Sequence, residues 1–200
     1  MIYSPESEIY SFSDGWYAIS YEIDDIQGLR LDFSQIIRYN KLTDKLEFRE
    51  EVLTVKNRII DEEIMLVRYY PNYKTGLAWY QDLDLCKQVD NRDTVYDLEL
   101  LKRMYNYLNK HGDLFYIKYK NRLCGDVCLQ PSGEINIVIA KPFQNKHIGR
   151  RVVSEIIQLA KEKDIHELRA EIYTFNTQSQ KMFHSIGFKK VDDEQYILTL

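Results

Sequence analysis

A mixed-sheet α/β (α+β) fold with an N-terminal antiparallel β extension is predicted by three features of this 200-residue chain. Residues 1 to about 60 carry short alternating apolar runs broken by turns. Glu134 to Ala140 is a β-branched run whose period of two gives way, after Pro142, to a helical period from Ile148. Leu168 to Phe175 alternates again and leads into a second helical stretch, Asn176 to Gly187. The length suits one domain, or one domain with a small appendage. Charged residues make up 29% and hydrophobic ones 44%, an ordinary globular balance, and the net charge of −4 gives no ground for a nucleic-acid partner. No run reaches membrane-span length, and Met1-Ile-Tyr-Ser-Pro-Glu has no signal-peptide pattern. The cysteines are Cys86, Cys124 and Cys128. An odd count without redox or zinc spacing points to a reducing cytoplasm and no metal site.

In chain order, Asp14-Gly15 precedes Trp16 to Ile23, where Tyr17, Ile19, Tyr21 and Ile23 alternate. Asp24 to Gly28 reads as a turn, Leu29, Leu31 and Phe33 alternate after it, and Leu46 to Val55 supplies a further strand pair. This β-meander is expected to pack on the core or on a second subunit, the latter making a homodimer. Ile64 to Val67 opens the domain proper. Tyr73 to Asp90 and Asp97 to Asn109 read as two helices, the second capped by Asp97. Six acids between Tyr80 and Glu99 face only Lys87 and Arg92, an acidic stretch that would attract a protonated amine or simply line a solvated face. Leu114 to Leu129 reads as a hairpin turning near Asn121-Arg122, with Phe115, Ile117 and Tyr119 on one arm and Leu123, Val127 and Leu129 on the other. Cys124 and Cys128 are placed on one strand face as buried thiols. Pro131-Ser132-Gly133 turns into the central strand, expected to be interior because both its faces are mostly apolar. The following helix carries Ile148, Val152, Ile156, Leu159 and Ala160 on one stripe, with Arg151 and Glu155 four apart on the other face. Asn176 is placed to cap the last helix and Gly187 to end it. Val191 to Leu200 closes the chain as a hairpin around Asp192-Asp193-Glu194.

A strand that turns directly into a helix presents unpaired backbone N–H groups and the positive end of the helix dipole, which suit a phosphate. Gly149 lets a ligand approach, and Lys146, Arg150 and Arg151 add charge. The spacing Gln144-x-x-His147-x-Gly149 resembles the Arg/Gln-x-x-Gly-x-Gly/Ala acetyl-CoA signature of the GNAT N-acetyltransferase superfamily. Asn176-x-x-Ser179, followed by Met182, Phe183 and Ile186-Gly187-Phe188, resembles the second half of that family's core. The resemblance spans roughly Glu63 to Leu200. It implies a GNAT acyl-CoA acyltransferase fold at 63–200, preceded by a β-rich extension at 1–62 that typical members lack.

That resemblance implies acetyl-CoA as co-substrate, held by Gln144, Asn145, Lys146, His147, Ile148, Gly149 and Arg150 and by Asn176, Ser179 and Phe183. It also implies that splaying of the central strand frees a backbone N–H among Ile137, Val138 and Ile139 for the oxyanion. An alkylamine with a pKa near ~10 must lose a proton before attack. Glu171 resembles the base of the family's ribosomal-protein N-terminal branch, and Glu134 is the alternative. Phe183 stands where many members carry a proton-donating tyrosine, so that role is vacant or moved to Tyr173 or water. The expected function is acetyl-CoA-dependent N-acetylation of a primary amine on a small molecule or peptide by direct attack on the thioester. Two other readings stay open: a catalytically weak acyl-CoA-binding regulatory module, and an interaction protein working through its N-terminal strands. No residue pattern names the acceptor amine.

Overall fold

The computed structural model describes residues 57–200 in full, and before them the backbone of four strands: β1 (Glu8–Ser11), β2 (Trp16–Asp24), β3 (Arg30–Asn40) and β4 (Lys45–Arg49). The chain divides into two compact units, Met1–Val55 and Lys56–Leu200. In the first, β1 to β4 pair in sequential antiparallel order, so the alternating residues of Trp16 to Ile23 fall within one strand. The turn expected at residues 25–28 and the strand residues beyond Arg49 lie outside the described residues.

The second unit holds an antiparallel sheet in the order β5 (Arg58–Ile59), β6 (Ile64–Arg68), β7 (Asp113–Tyr119), β8 (Arg122–Leu129) and β9 (Ile135–Ile139). A three-stranded sheet follows, in the order β10 (Glu167–Glu171), β12 (Gln195–Thr199) and β11 (Lys189–Lys190). The β7–β8 turn sits at Lys120 and Asn121, both at positive φ, with Arg122 already in the strand. Among the described residues the two sheets meet through a single parallel bridge, Glu134 with Arg169. The expectation of an interior strand is therefore corrected. Among the described residues β9 is paired along its length with one strand only, β8, and its two apolar faces are covered by helices packed above and below.

Helix α4 (Ile148–Glu162) lays its predicted stripe on one face of the sheet. Ile148, Val152, Val153, Ile156, Leu159 and Ala160 are buried against Leu66, Ile117, Val127 and Ile135. Each of the Val, Ile and Leu side chains contributes about 1.5–3 kcal/mol of burial. Arg151 and Glu155 do not pair with each other. Arg151 binds Asp61 and Glu63, while Glu155 and Glu162 bind Arg58. Helix α5 (Thr177–Ser185) joins the same face through Phe183, and Gly187 follows it at φ 102°.

The opposite face carries α1 (Tyr73–Trp79), α2 (Leu83–Asp90) and α3 (Leu98–His111). The stretch 73–90 is thus two helices, not one, because the Asp82 side chain accepts from the Leu85 N–H at 2.8 Å and starts a new helix there. Asp97 caps α3 as expected, accepting from the Leu100 N–H at 2.7 Å. The two cysteines of β8 lie on opposite faces, Cys124 with α4 and Cys128 with α3. A β-bulge explains this: Ile117 pairs with Gly125 and Lys118 with Leu123, leaving Cys124 as an extra residue that inverts the alternation. The same inversion moves Leu123 to the α1–α3 side.

Candidate active site

The site forms where β9 and β10 part. Beyond the Glu134–Arg169 bridge, β10 pairs among the described residues only with β12, so the two strands diverge as a wedge. The Ala140 N–H donates to Cys124 O at 2.8 Å and the Gln130 N–H to Glu134 O at 2.9 Å. In an antiparallel ladder successive residues alternate in direction. Even-numbered residues of β9 therefore direct their amides at β8, and the amides of Ile137 and Ile139 point into the wedge. Of the three residues named from the resemblance, Val138 is the one whose N–H the ladder occupies. The Ile139 carbonyl also faces the wedge side and accepts from Gln144 Nε2 at 2.9 Å.

After β9 the chain makes a 3-10 turn, Lys141–Phe143, with Pro142 near its start, and then two left-handed residues, Asn145 at φ 62° and His147 at φ 58°. These aim the start of α4 back at the wedge. His147 caps the helix without a side-chain hydrogen bond, and the first intrahelical donor is the Arg151 N–H. The amides of Ile148, Gly149 and Arg150 are accordingly left for a ligand. A Cβ added at Gly149 would meet nothing nearer than Met182 Cε at 3.7 Å, so the space beside it is open.

One cavity of about 690 Å³ joins these parts. It is bordered by Ile137, Val138, Ile139, Gln144, Asn145, His147, Ile148, Gly149 and Arg150 on one side, and by Glu171, Asn176, Ser179 and Phe183 on the other. Lys146 is not in its wall; that exposed side chain lies over the Phe143 ring at 5.2 Å. Glu134 is also outside the wall, accepting from Asn136 Nδ2 at 3.0 Å. Tyr173 lies outside as well and stacks on Phe175, with burial raising its phenol pKa. Phe183 packs edge-on against Phe188 and offers no proton.

Asn176 caps α5, its Oδ1 accepting from the Ser179 N–H at 3.2 Å, while its Nδ2 donates to the Gln88 carbonyl at 3.1 Å. Gln144 Nε2 also reaches Gln88 Oε1 at 3.3 Å, so the end of α2 ties both arms of the wedge. Asn176→Ala should lower stability by about 1 kcal/mol through the lost cap, measured by urea unfolding. A change under about 0.3 kcal/mol would show that the cap contributes little.

The sequence reading missed the far wall of the cavity. Asp126, on β8 opposite Val138, is 3% exposed and accepts from Tyr105 Oη at 2.9 Å and Tyr80 Oη at 3.5 Å. Burial, not offset by those two bonds, pushes its carboxyl up to about 7. Asp90 and Tyr96 border the same end, with the Tyr96 hydroxyl bonded to the Asp90 carboxylate. The clue was a lone carboxylate inside the apolar run Cys124 to Leu129. The remaining acids of the 80–99 stretch have structural partners: Asp82 and Asp97 cap helices, Asp93 pairs with Lys87, Glu99 with Lys102 and Asp84 with Lys141. Among the described residues no group of His, Cys, Asp and Glu is placed to hold a metal, and no helix is long and apolar enough to cross a membrane.

A splayed strand pair beside an uncapped helix start, all in one cavity, offers backbone donors along a strand edge and a site suited to an anionic group. Comparison with known proteins agrees. The model of the acetyltransferase (GNAT) family matches residues 77–188, more than half of the chain. This chain belongs to the GNAT acetyltransferase family. In fold it is similar to a GNAT-family acetyltransferase from Bacillus anthracis, at 16% identity and a TM-score of 0.62 over 72% of this chain and 98% of that one. A domain from Methanocaldococcus jannaschii gives 24% identity and a TM-score of 0.61 over 70% and 100%. RimL, a ribosomal L7/L12 alpha-N-protein acetyltransferase in complex with coenzyme A, gives 11% identity and a TM-score of 0.61 over 72% and 98%. No curated protein sequence matches the chain significantly.

Proposed function

We propose that this acetyltransferase moves the acetyl group of acetyl-CoA to a primary amine of a small molecule or peptide, by direct attack of the amine on the thioester. The observation that carries the reading is the wedge itself. Two strand amides, of Ile137 and Ile139, and three helix-start amides, of Ile148, Gly149 and Arg150, border one cavity. The fit to acetyl-CoA is chemical: the helix start, with the charge of Arg150 and the nearby Lys146, suits the pyrophosphate, and the strand edge suits the amide-bearing pantetheine arm. Gln144, Asn145 and His147 shape the turn, and Asn176 and Ser179 close the opposite arm. The amide of Ile137 or Ile139 donates to the oxyanion as the tetrahedral centre forms.

Glu171 is the proposed acceptor of the proton that the amine must shed, since it borders the cavity and Glu134 does not. With Phe183 in the donor position, the thiolate leaves without a protein acid. Its pKa near ~8.5 makes that tolerable at some loss of rate. On this reading the acetyltransferase domain spans 63–200 after a β-rich extension at 1–62, and the working compartment is the cytoplasm. The coenzyme A complex of RimL supports the choice of co-substrate.

The test is thermal unfolding with acetyl-CoA, with free CoA, and with Gly149→Ala and Gly149→Glu variants. At about 100 times Kd the ligand should stabilise the wild type by roughly 2.7 kcal/mol. Gly149→Ala should fold normally, because its Cβ finds open space. Gly149→Glu should lose the ligand shift, its carboxylate standing where phosphate charge belongs. A wild type unmoved by either ligand sinks the reading. Binding without turnover on any amine would instead identify the regulatory module.

A further inference from the structure

The cavity has an end that the thioester does not need. Around Asp126 the walls are Tyr80, Tyr96, Leu85, Val89 and Leu108, with Tyr105 behind. Both phenols donate to the same carboxylate oxygen, Oδ2. Among the described residues nothing donates to Oδ1. Asp126 borders the cavity, so Oδ1 is an acceptor, in a carboxylate 3% exposed, without a partner among the described residues. A buried carboxylate without a cation is costly, and the ladder places it one strand from the open edge of β9.

The groups around it are of one kind. Tyr80 comes from the end of α1, Asp90 from α2, Tyr105 from α3, Tyr116 from β7 and Cys128 from its own strand; β9 contributes Val138, which is apolar. Each is neutral or an acid. Arg92 lies over the Tyr96 ring at 5.5 Å and acts on Asp90, not on Asp126. The Tyr80 and Tyr96 rings stand 4.6 Å apart and both border the cavity, and aromatic rings attract cations.

We infer that Asp126 is the specificity-determining residue for the acceptor, binding a compact primary alkylammonium through Oδ1 against the Tyr80 and Tyr96 rings. The inference rests on the acetyl-transfer reading for its place in the reaction, but it predicts binding that is measurable without it. A primary ammonium is the donor proposed for Oδ1, since it brings charge and several N–H donors to a single acceptor. The apolar Leu85, Val89 and Leu108 suit an aliphatic stem, and the two acids exclude a carboxylate beside the reacting nitrogen. In the reaction the ammonium gives one proton to a carboxylate, Glu171 in the reading above, and becomes the free amine. Its lone pair forms the bond to the thioester carbon, the C–S bond breaks, and the departing thiolate takes the second nitrogen proton. The products are the amide and CoA thiol.

The experiment is calorimetric titration of the full chain, saturated with free CoA so that nothing turns over, with n-butylammonium chloride, n-butanol and sodium butyrate. Wild type should bind n-butylammonium, and the alcohol and butyrate should bind at least tenfold more weakly. Asp126→Asn keeps the shape and an acceptor for both tyrosines; it should weaken n-butylammonium tenfold or more and leave the acetyl-CoA thermal shift unchanged. In wild type the affinity should rise from pH 6 to pH 8 as Asp126 ionises, and in the variant that dependence should vanish. Glu171→Gln should retain n-butylammonium binding. Equal binding by Asp126→Asn, equal binding of n-butanol, or a flat wild-type pH profile would each overturn the inference. The wild-type pH series decides it even where the variant fails to fold. Loss of the acetyl-CoA shift in wild type with n-butylammonium binding intact would remove the acetyl-transfer reading and leave the amine site standing.

Discussion

Gly125→Ala should destabilise the protein by about 3 kcal/mol or more and abolish any acetyl transfer. A Cβ at residue 125 would stand 2.0 Å from the Val138 carbonyl oxygen, 3.0 Å from its carbon and 3.2 Å from the Ile139 Cα. All three are backbone atoms of the paired strand, so no side-chain rotation relieves the contact. β8 and β9 would have to separate by more than an ångström at the step where Gly125 faces Ile139. The bulge at Cys124, in the pairing of β8 with β7, lies one residue before this close approach. The displaced segment is also the one whose outer edge carries the Ile137 and Ile139 amides, so the wedge would shift with it. Urea unfolding of the purified variant, or loss of soluble protein on expression, measures the effect. A midpoint within about 1 kcal/mol of wild type would mean that the strands separate easily.

The two helices within residues 134–187 were legible because their local signals pointed the same way. The switch from period two to period 3.6 located α4 and its buried stripe, and Asn176 and Gly187 bracketed α5 through ordinary cap chemistry. Several failures had definite causes. The break between α1 and α2 carries no Gly or Pro, and only Asp82 as an N-cap signals it. Cys124 and Cys128 were placed on one face because alternation is counted from spacing, and a bulge has no spacing signature until its partner strand is known. Apolarity on both faces of β9 was taken for strand neighbours on both sides, while the structure satisfies it with α4 below and α1–α3 above. Asp126 went unread for a different reason. Its meaning depends on Tyr80 and Tyr105, which are 46 and 21 residues away in sequence.

The stability of the protein should carry the mark of that buried carboxylate. An aspartate in the unfolded chain titrates near ~3.9, and burial holds Asp126 protonated up to about 7 in the folded protein. Between those values the folded chain keeps a proton that the unfolded chain has lost, so this group makes stability fall as pH rises across the window. Below about pH 4 the penalty is absent, and above about 7 it is fully developed. Its size is on the order of 4 kcal/mol, from the interval between the two titrations. Asn cannot ionise, so Asp126→Asn should match wild type near pH 4 and become progressively more stable than it toward pH 8. Urea unfolding at unit pH steps reads the difference directly, and parallel curves for the two proteins would show that the carboxyl titrates normally. Many groups titrate over this range, but the difference between the two proteins isolates one. A site that loses stability to keep a charge without a partner is poised to gain it back when a cation arrives. The same wild-type series with n-butylammonium present should therefore recover part of the loss above pH 7, and Asp126→Asn should gain nothing from it.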